Sequence, residues 1–187
     1  MTRTSQQPPR LLAETCVPTA ARMRWLGGRL AALLRPGDLI VLNGPLGAGK
    51  TTLVQGIGDG LGVRGPVTSP TFVIARIHPA LRGGPALVHA DAYRLSSPAE
   101  VDDLDLDADL DSSVTVVEWG GGLVEGLAPD WLEITITRTG AGMPGPATPG
   151  PDHGDEPRML RLAGRGDRWA AAAESVNLAI TGAAEVL

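Results

Sequence analysis

Lysine is almost absent from this chain of 187 residues: of sixteen basic side chains only Lys50 is a lysine, and the rest are scattered arginines. With no basic cluster and a net charge of −5, the sequence argues against a dedicated nucleic-acid binder. Cysteine is limited to Cys16, which excludes an intramolecular disulfide and fits a reducing compartment. Aromatic side chains are few, with four Trp, one Tyr and one Phe, so a core must be built from small aliphatic residues. No apolar run approaches the ~18–20 residues that span a bilayer. Residues 1–10 are polar and lack the apolar stretch of a signal peptide. A cytoplasmic protein is the expectation, with one domain over 1–187, a disordered leader at 1–10 and a flexible Gly/Pro-rich loop at 140–157.

The lone lysine stands in Gly44-Pro45-Leu46-Gly47-Ala48-Gly49-Lys50-Thr51-Thr52. This is the G-x-x-x-x-G-K-[ST] pattern of loops that bind the phosphates of ATP or GTP. Glycines let the backbone curl until several N–H groups face an anion. A helix starting near Lys50 adds its positive end. Lys50 supplies a compact charge to the β- and γ-phosphates, and the Thr51 hydroxyl can ligate Mg²⁺. The flanks agree. Asp38–Asn43 reads as a buried parallel strand, and Leu53, Val54, Ile57 and Leu61 repeat at helical spacing until Gly62.

Elsewhere the chain reads as alternating elements. A strand is expected over 11–15, then a helix capped by Thr19, with Met23, Leu26, Leu30, Leu33 and Leu34 on its apolar stripe and Pro36-Gly37 at its stop. Further strands are expected at 72–75, 86–91, 113–118 and 131–137, with 158–162 returning as a hairpin partner and a terminal helix at 167–183. Ser97-Pro98 opens a short helix, and the alternating aspartates of 102–111 continue it into an acidic loop. Strand–loop–helix units around a phosphate loop predict an α/β, three-layer fold. Its sheet should be mixed and mostly parallel, with a late antiparallel hairpin.

Hydrolysis or transfer needs an acid beside the loop, to hold Mg²⁺ and position the attacking group. Two expected strands end in acids, Asp91 and Glu118, at the carboxyl ends where ligands bind in open α/β sheets. The Asp91 strand could lie beside the phosphate-loop strand. His89 shares a face with Asp91 and is a structural or a catalytic candidate. Trp119 could flank a nucleotide or simply pack. The Asn-Lys-x-Asp turn of guanine-specific proteins is missing, which favours ATP. Three readings stay open: an ATPase subunit driving a partner complex, a stand-alone kinase of a small metabolite, and a nucleotide-dependent regulator.

Four blocks bear on that choice: Leu46–Thr52, Ser69-Pro70-Thr71-Phe72, His89-Ala90-Asp91-Ala92-Tyr93-Arg94-Leu95 and Val117-Glu118-Trp119. In order and approximate spacing they resemble the TsaE family, over roughly residues 11–138. The resemblance implies a cytoplasmic P-loop protein that hydrolyses ATP weakly. It also implies action with TsaD and TsaB in placing threonylcarbamoyl on adenosine 37 of tRNA, so that tRNA is met only through that complex. By position, the resemblance gives Gly47, Ala48, Gly49, Lys50, Thr51 and Thr52 to the nucleotide, and Thr51 and Glu118 to Mg²⁺. Asp91 and Lys50 become the catalytic pair, Ser69–Thr71 a switch loop, and Thr15 a residue near the base. Where the family commonly has proline after Glu-Trp, this chain has Gly120-Gly121-Gly122, which is expected to loosen that loop.

Overall fold

The computed structural model describes residues 8–70, 74–106, 108–139 and 156–182. Most of the expected leader and of the Gly/Pro-rich stretch, together with Thr71, Phe72, Val73 and Asp107, lies outside them. Arg10 belongs to a strand and not to the leader.

Among the described residues seven strands form one sheet: β1 (Arg10–Val17), β2 (Leu39–Asn43), β3 (Ala75–His78), β4 (Ala86–Asp91), β5 (Ser113–Glu118), β6 (Trp131–Arg138) and β7 (Arg158–Arg165). Their spatial order is β1-β7-β6-β2-β5-β4-β3. The four central strands run parallel, and antiparallel pairs close both edges. The sequence explains this division. β2 reads Leu-Ile-Val-Leu-Asn with its four apolar residues buried, as a strand covered on both faces requires. β6 and β7 form the late hairpin, whose mouth is closed by Thr139, its N–H and Oγ1 both donating to the Pro157 carbonyl.

Among the described residues five α-helices accompany the sheet: α1 (Ala20–Ala31), α2 (Lys50–Leu61), α3 (Pro98–Asp102), α4 (Asp167–Ala171) and α5 (Ala173–Thr181). Ile40, Leu42, Val116 and Ile134 face α1, α2 and α5 in one core layer. Leu39, Val41, Val88 and Val117 point the other way, against Val101 of α3 and Val124 and Ala128 of the following turns. α1 begins at Thr19, whose Oγ1 accepts from Arg22 N, and buries Met23, Leu26 and Leu30. It ends at Ala31, so Leu33 and Leu34 fall in the next turn, Leu34 still buried. α1 and α2 cross so closely that a Cβ at Gly56 would run into the Arg24 carbonyl.

Three sequence expectations are corrected. The strand expected at 72–75 lies at Ala75–His78, because Ile74 holds φ +69°, outside strand geometry. The terminal helix is two, broken at Ala172, which lets Trp169 enter the core while Val176 and Ile180 are buried farther along. β4 does not neighbour β2: β5 lies between them. No helix among the described residues is long and apolar enough to cross a membrane.

Candidate functional site

Asn43 ends β2, the loop turns over Gly44–Gly49, and α2 starts at Lys50. Glycine is required at Gly44, which has φ +151° and no room for a Cβ, since one would sit 2.6 Å from the Ile136 carbonyl oxygen. The first N–H groups of α2 have no helical partners, so an anion in the curl of the loop is their natural acceptor. Lys50 is buried, and its Nζ donates to the carbonyls of Gly44 (2.8 Å) and Pro45 (3.1 Å). The same ammonium lies 3.9 Å from the centre of the Trp119 ring. Burial pushes the Lys50 pKa down, and the charges of Glu118 and Asp91 pull it back up.

The two acids arrive from the sheet. β2, β5 and β4 are consecutive and parallel, so Leu42 pairs with Glu118, and Glu118 with Asp91. Both carboxylates therefore stand at carboxyl ends, side by side, next to the loop. Alternation puts His89, Asp91 and Glu118 on the side of the sheet that α2 covers. Thr51 Oγ1 donates to Glu118 Oε1 at 3.0 Å, and His89 Nε2 stands 2.9 Å from that oxygen. Glu118 is 3% exposed and His89 wholly buried. Asp91 Oδ1 accepts from Tyr93 N at 2.9 Å, and Asp91 N donates to the Ile74 carbonyl.

Strain gathers in the same place. Trp119 and Ile74 both have positive φ, which costs bulky residues ~1–3 kcal/mol each and is kept where surroundings over-determine it. Trp119 is fixed by its N–H to the Leu42 carbonyl, by Lys50, and by the edge of Tyr93 at 5.2 Å between ring centres. The Gly120–Gly122 loop is tied down instead of loosened: Gly121 N donates to Asn43 Oδ1 and Gly122 N to Glu125 Oε1. Ser69 is exposed. Thr71 lies outside the described residues.

Beside the phosphate loop is a cavity of about 240 Å³, lined by Thr19, Ala20, Met23, Gly47, Gly49, Thr52, Glu156 and Arg158 among others. The sequence reading missed Thr19, Met23, Glu156 and Arg158, because they reach the loop through tertiary packing and carry no local motif. Thr15 is half-buried on β1 opposite Leu160 and does not line this cavity. A larger cleft, about 630 Å³, runs past Pro98, Leu123, Trp131 and Arg165 and shares no residue with the phosphate loop. Its charged lining is Glu125 and Arg165, with no convergent set for chemistry.

The donor set suits a nucleotide with a divalent ion. Among the described residues no group of three His, Cys, Asp or Glu side chains could hold a metal unaided. An ion here would need the Thr51 hydroxyl, a carboxylate and the ligand's own phosphate oxygens, the arrangement Mg²⁺ favours.

Comparison with known proteins agrees. Residues 17–143 match the family described as threonylcarbamoyl adenosine biosynthesis protein TsaE. The tRNA threonylcarbamoyladenosine biosynthesis protein TsaE of Streptomyces coelicolor is 57% identical over 155 residues, 82% of this chain and 98% of that one. Its namesake in Bacillus subtilis is 41% identical over 111 residues, covering 59% and 68%. The crystal structure of Bacillus subtilis YdiB superposes with a TM-score of 0.66 at 26% identity, over 91% of this chain and 97% of that one. With a phosphate loop between β2 and α2 and both acids in register beside it, this chain belongs to the TsaE family of threonylcarbamoyladenosine biosynthesis proteins.

Proposed function

We propose that the site binds ATP with Mg²⁺ and hydrolyses it slowly, and that a complex with TsaB and TsaD couples this turnover to threonylcarbamoylation of adenosine 37 in tRNA. The observation that carries the reading is the meeting of Lys50, Thr51, Glu118 and Asp91 at the carboxyl ends of β2, β5 and β4. Lys50 would transfer its hydrogen bonds from the Gly44 and Pro45 carbonyls to phosphate oxygens, with the N–H groups of Gly47–Thr52 around the same phosphates. Thr51 Oγ1 and a Glu118 oxygen would hold Mg²⁺. When bound, the ion neutralises charge on the terminal phosphates. Asp91 would orient the attacking water and accept its proton late. The cavity beside Gly47–Gly49, with Met23 at its wall, is the space available to the nucleoside. A stand-alone metabolite kinase, the other enzymatic reading, gains no support from the relatives named above.

Glu118→Gln tests the metal role. Glutamine keeps an acceptor for Thr51 and His89 and removes the charge. The expected outcome is a folded protein whose nucleotide hydrolysis no longer responds to Mg²⁺, measured as phosphate release against Mg²⁺ concentration. An undiminished Mg²⁺ response would assign the metal elsewhere.

A further inference from the structure

We infer that His89 is a positioning residue for Glu118, fixing the carboxylate that would meet the divalent ion; the inference rests on the metal role proposed for Glu118 above. His89 lies in the row Leu87, His89, Asp91 of β4 and is wholly buried. Its Nε2, 2.9 Å from Glu118 Oε1, must be the donor, because a carboxylate oxygen accepts. Its Nδ1 is buried and has no hydrogen-bond partner among the described residues. One ring nitrogen is thus used and the other left bare, a cost that a leucine such as Leu87, two residues earlier, would not carry. The bare nitrogen is a cost that only the bond to Glu118 offsets.

The gain is at Glu118. Its Oε1 accepts from both Thr51 and His89, and no hydrogen bond reaches Oε2 among the described residues. Two donors on one oxygen set the rotation of the carboxylate and leave the other oxygen free. If Thr51 turns its hydroxyl toward a cation, His89 is the donor that stays. Partners of this kind orient metal ligands from behind, and their loss lowers metal affinity or activity about 10–100-fold.

The test uses the full chain with Mn²⁺ as the probe. Free Mn²⁺ is read by electron paramagnetic resonance in the presence of ADP, alongside metal-free ADP affinity and thermal unfolding. His89→Leu should weaken Mn²⁺ binding about 10–100-fold, with metal-free ADP affinity unchanged in a chain that still unfolds cooperatively. His89→Gln, whose amide can donate from a similar place, should recover most of the loss. Should the leucine variant fail to fold, His89→Asn, whose amide falls short of Oε1, is read the same way. Mn²⁺ affinity at the wild-type level in the leucine variant, or no recovery with glutamine, would overturn the inference. Glu118→Gln separates the two readings. If it weakens Mn²⁺ binding and His89→Leu does not, only the positioning role falls; if neither does, the metal role of Glu118 falls with it.

Discussion

Lys50 is costly to bury, and the fold meets that cost with two carbonyls, the Trp119 ring and two neighbouring acids. Arginine, planar and forked, is no substitute for a compact charge inside the loop, which accounts for the one lysine in the chain. Lys50→Ala should weaken ATP binding about 10–100-fold, the loss of charge-assisted hydrogen bonds worth ~1.5–3 kcal/mol; calorimetric titration measures it, and unchanged affinity would contradict the phosphate role. Asp91→Asn should bind ATP about as well as the parent and hydrolyse it ~10²–10⁴-fold more slowly, the usual span for a positioned acid–base group. Single-turnover hydrolysis beside nucleotide affinity checks this. Normal hydrolysis with lost tRNA modification would move Asp91 to a partner interface. The placement of Lys50 and Thr51 at a helix start and of Asp91 and Glu118 at strand ends was legible, because loop chemistry and strand ends are written locally. The contact of His89 with Glu118 was not, since the two residues lie 29 positions apart.

A second histidine makes the fold sensitive to acid. Burial lowers the pKa of His78, His89 and Arg76 act the same way, and the Arg64 backbone opposes them. The charged form is thus disfavoured in the folded chain and ordinary in the unfolded one. Its contribution to stability is full above about 6.5, the ordinary histidine value, and is lost as pH falls from there toward the folded pKa. Urea unfolding at pH 7.5 and 5.5 should show this loss in the parent and a smaller one in His78→Gln. Equal losses in both would exclude His78 as the source.

At the scale of elements, the crossing of α1 and α2 is set by glycines. Gly56→Ala places a methyl against the Arg24 carbonyl, which belongs to helix backbone and cannot swing aside. A loss of about 1–3 kcal/mol, as for overpacking generally, is expected in denaturant unfolding. The phosphate loop would be disturbed too, because α2 carries Lys50 and Thr51. Wild-type stability would mean that the helices separate freely. Element boundaries were readable where chemistry marks them: α2 starts at Lys50 and stops at Gly62, as the loop pattern and the terminal glycine require. They were misread where tertiary contacts decide. Nothing local in the alanines of 170–173 marks the break at Ala172, which accompanies the burial of Trp169. Strand order was equally hidden, since a strand's neighbours are chosen by crossovers and not by its own sequence.

Over the whole molecule, the phosphate site opens at the carboxyl edge of the sheet, where Lys50 meets the Trp119 ring and Glu118 and Asp91 stand in register. The net charge of −5 points away from direct tRNA binding. The decisive measurement is the rate of phosphate release by the full chain with and without the TsaB–TsaD pair, with threonylcarbamoyladenosine formation followed in the same tubes. The expected result is slow release alone, faster release with the pair, and loss of both release and modification in Asp91→Asn. Release that ignores the pair, or modification that proceeds undiminished without hydrolysis, would contradict a coupled ATPase.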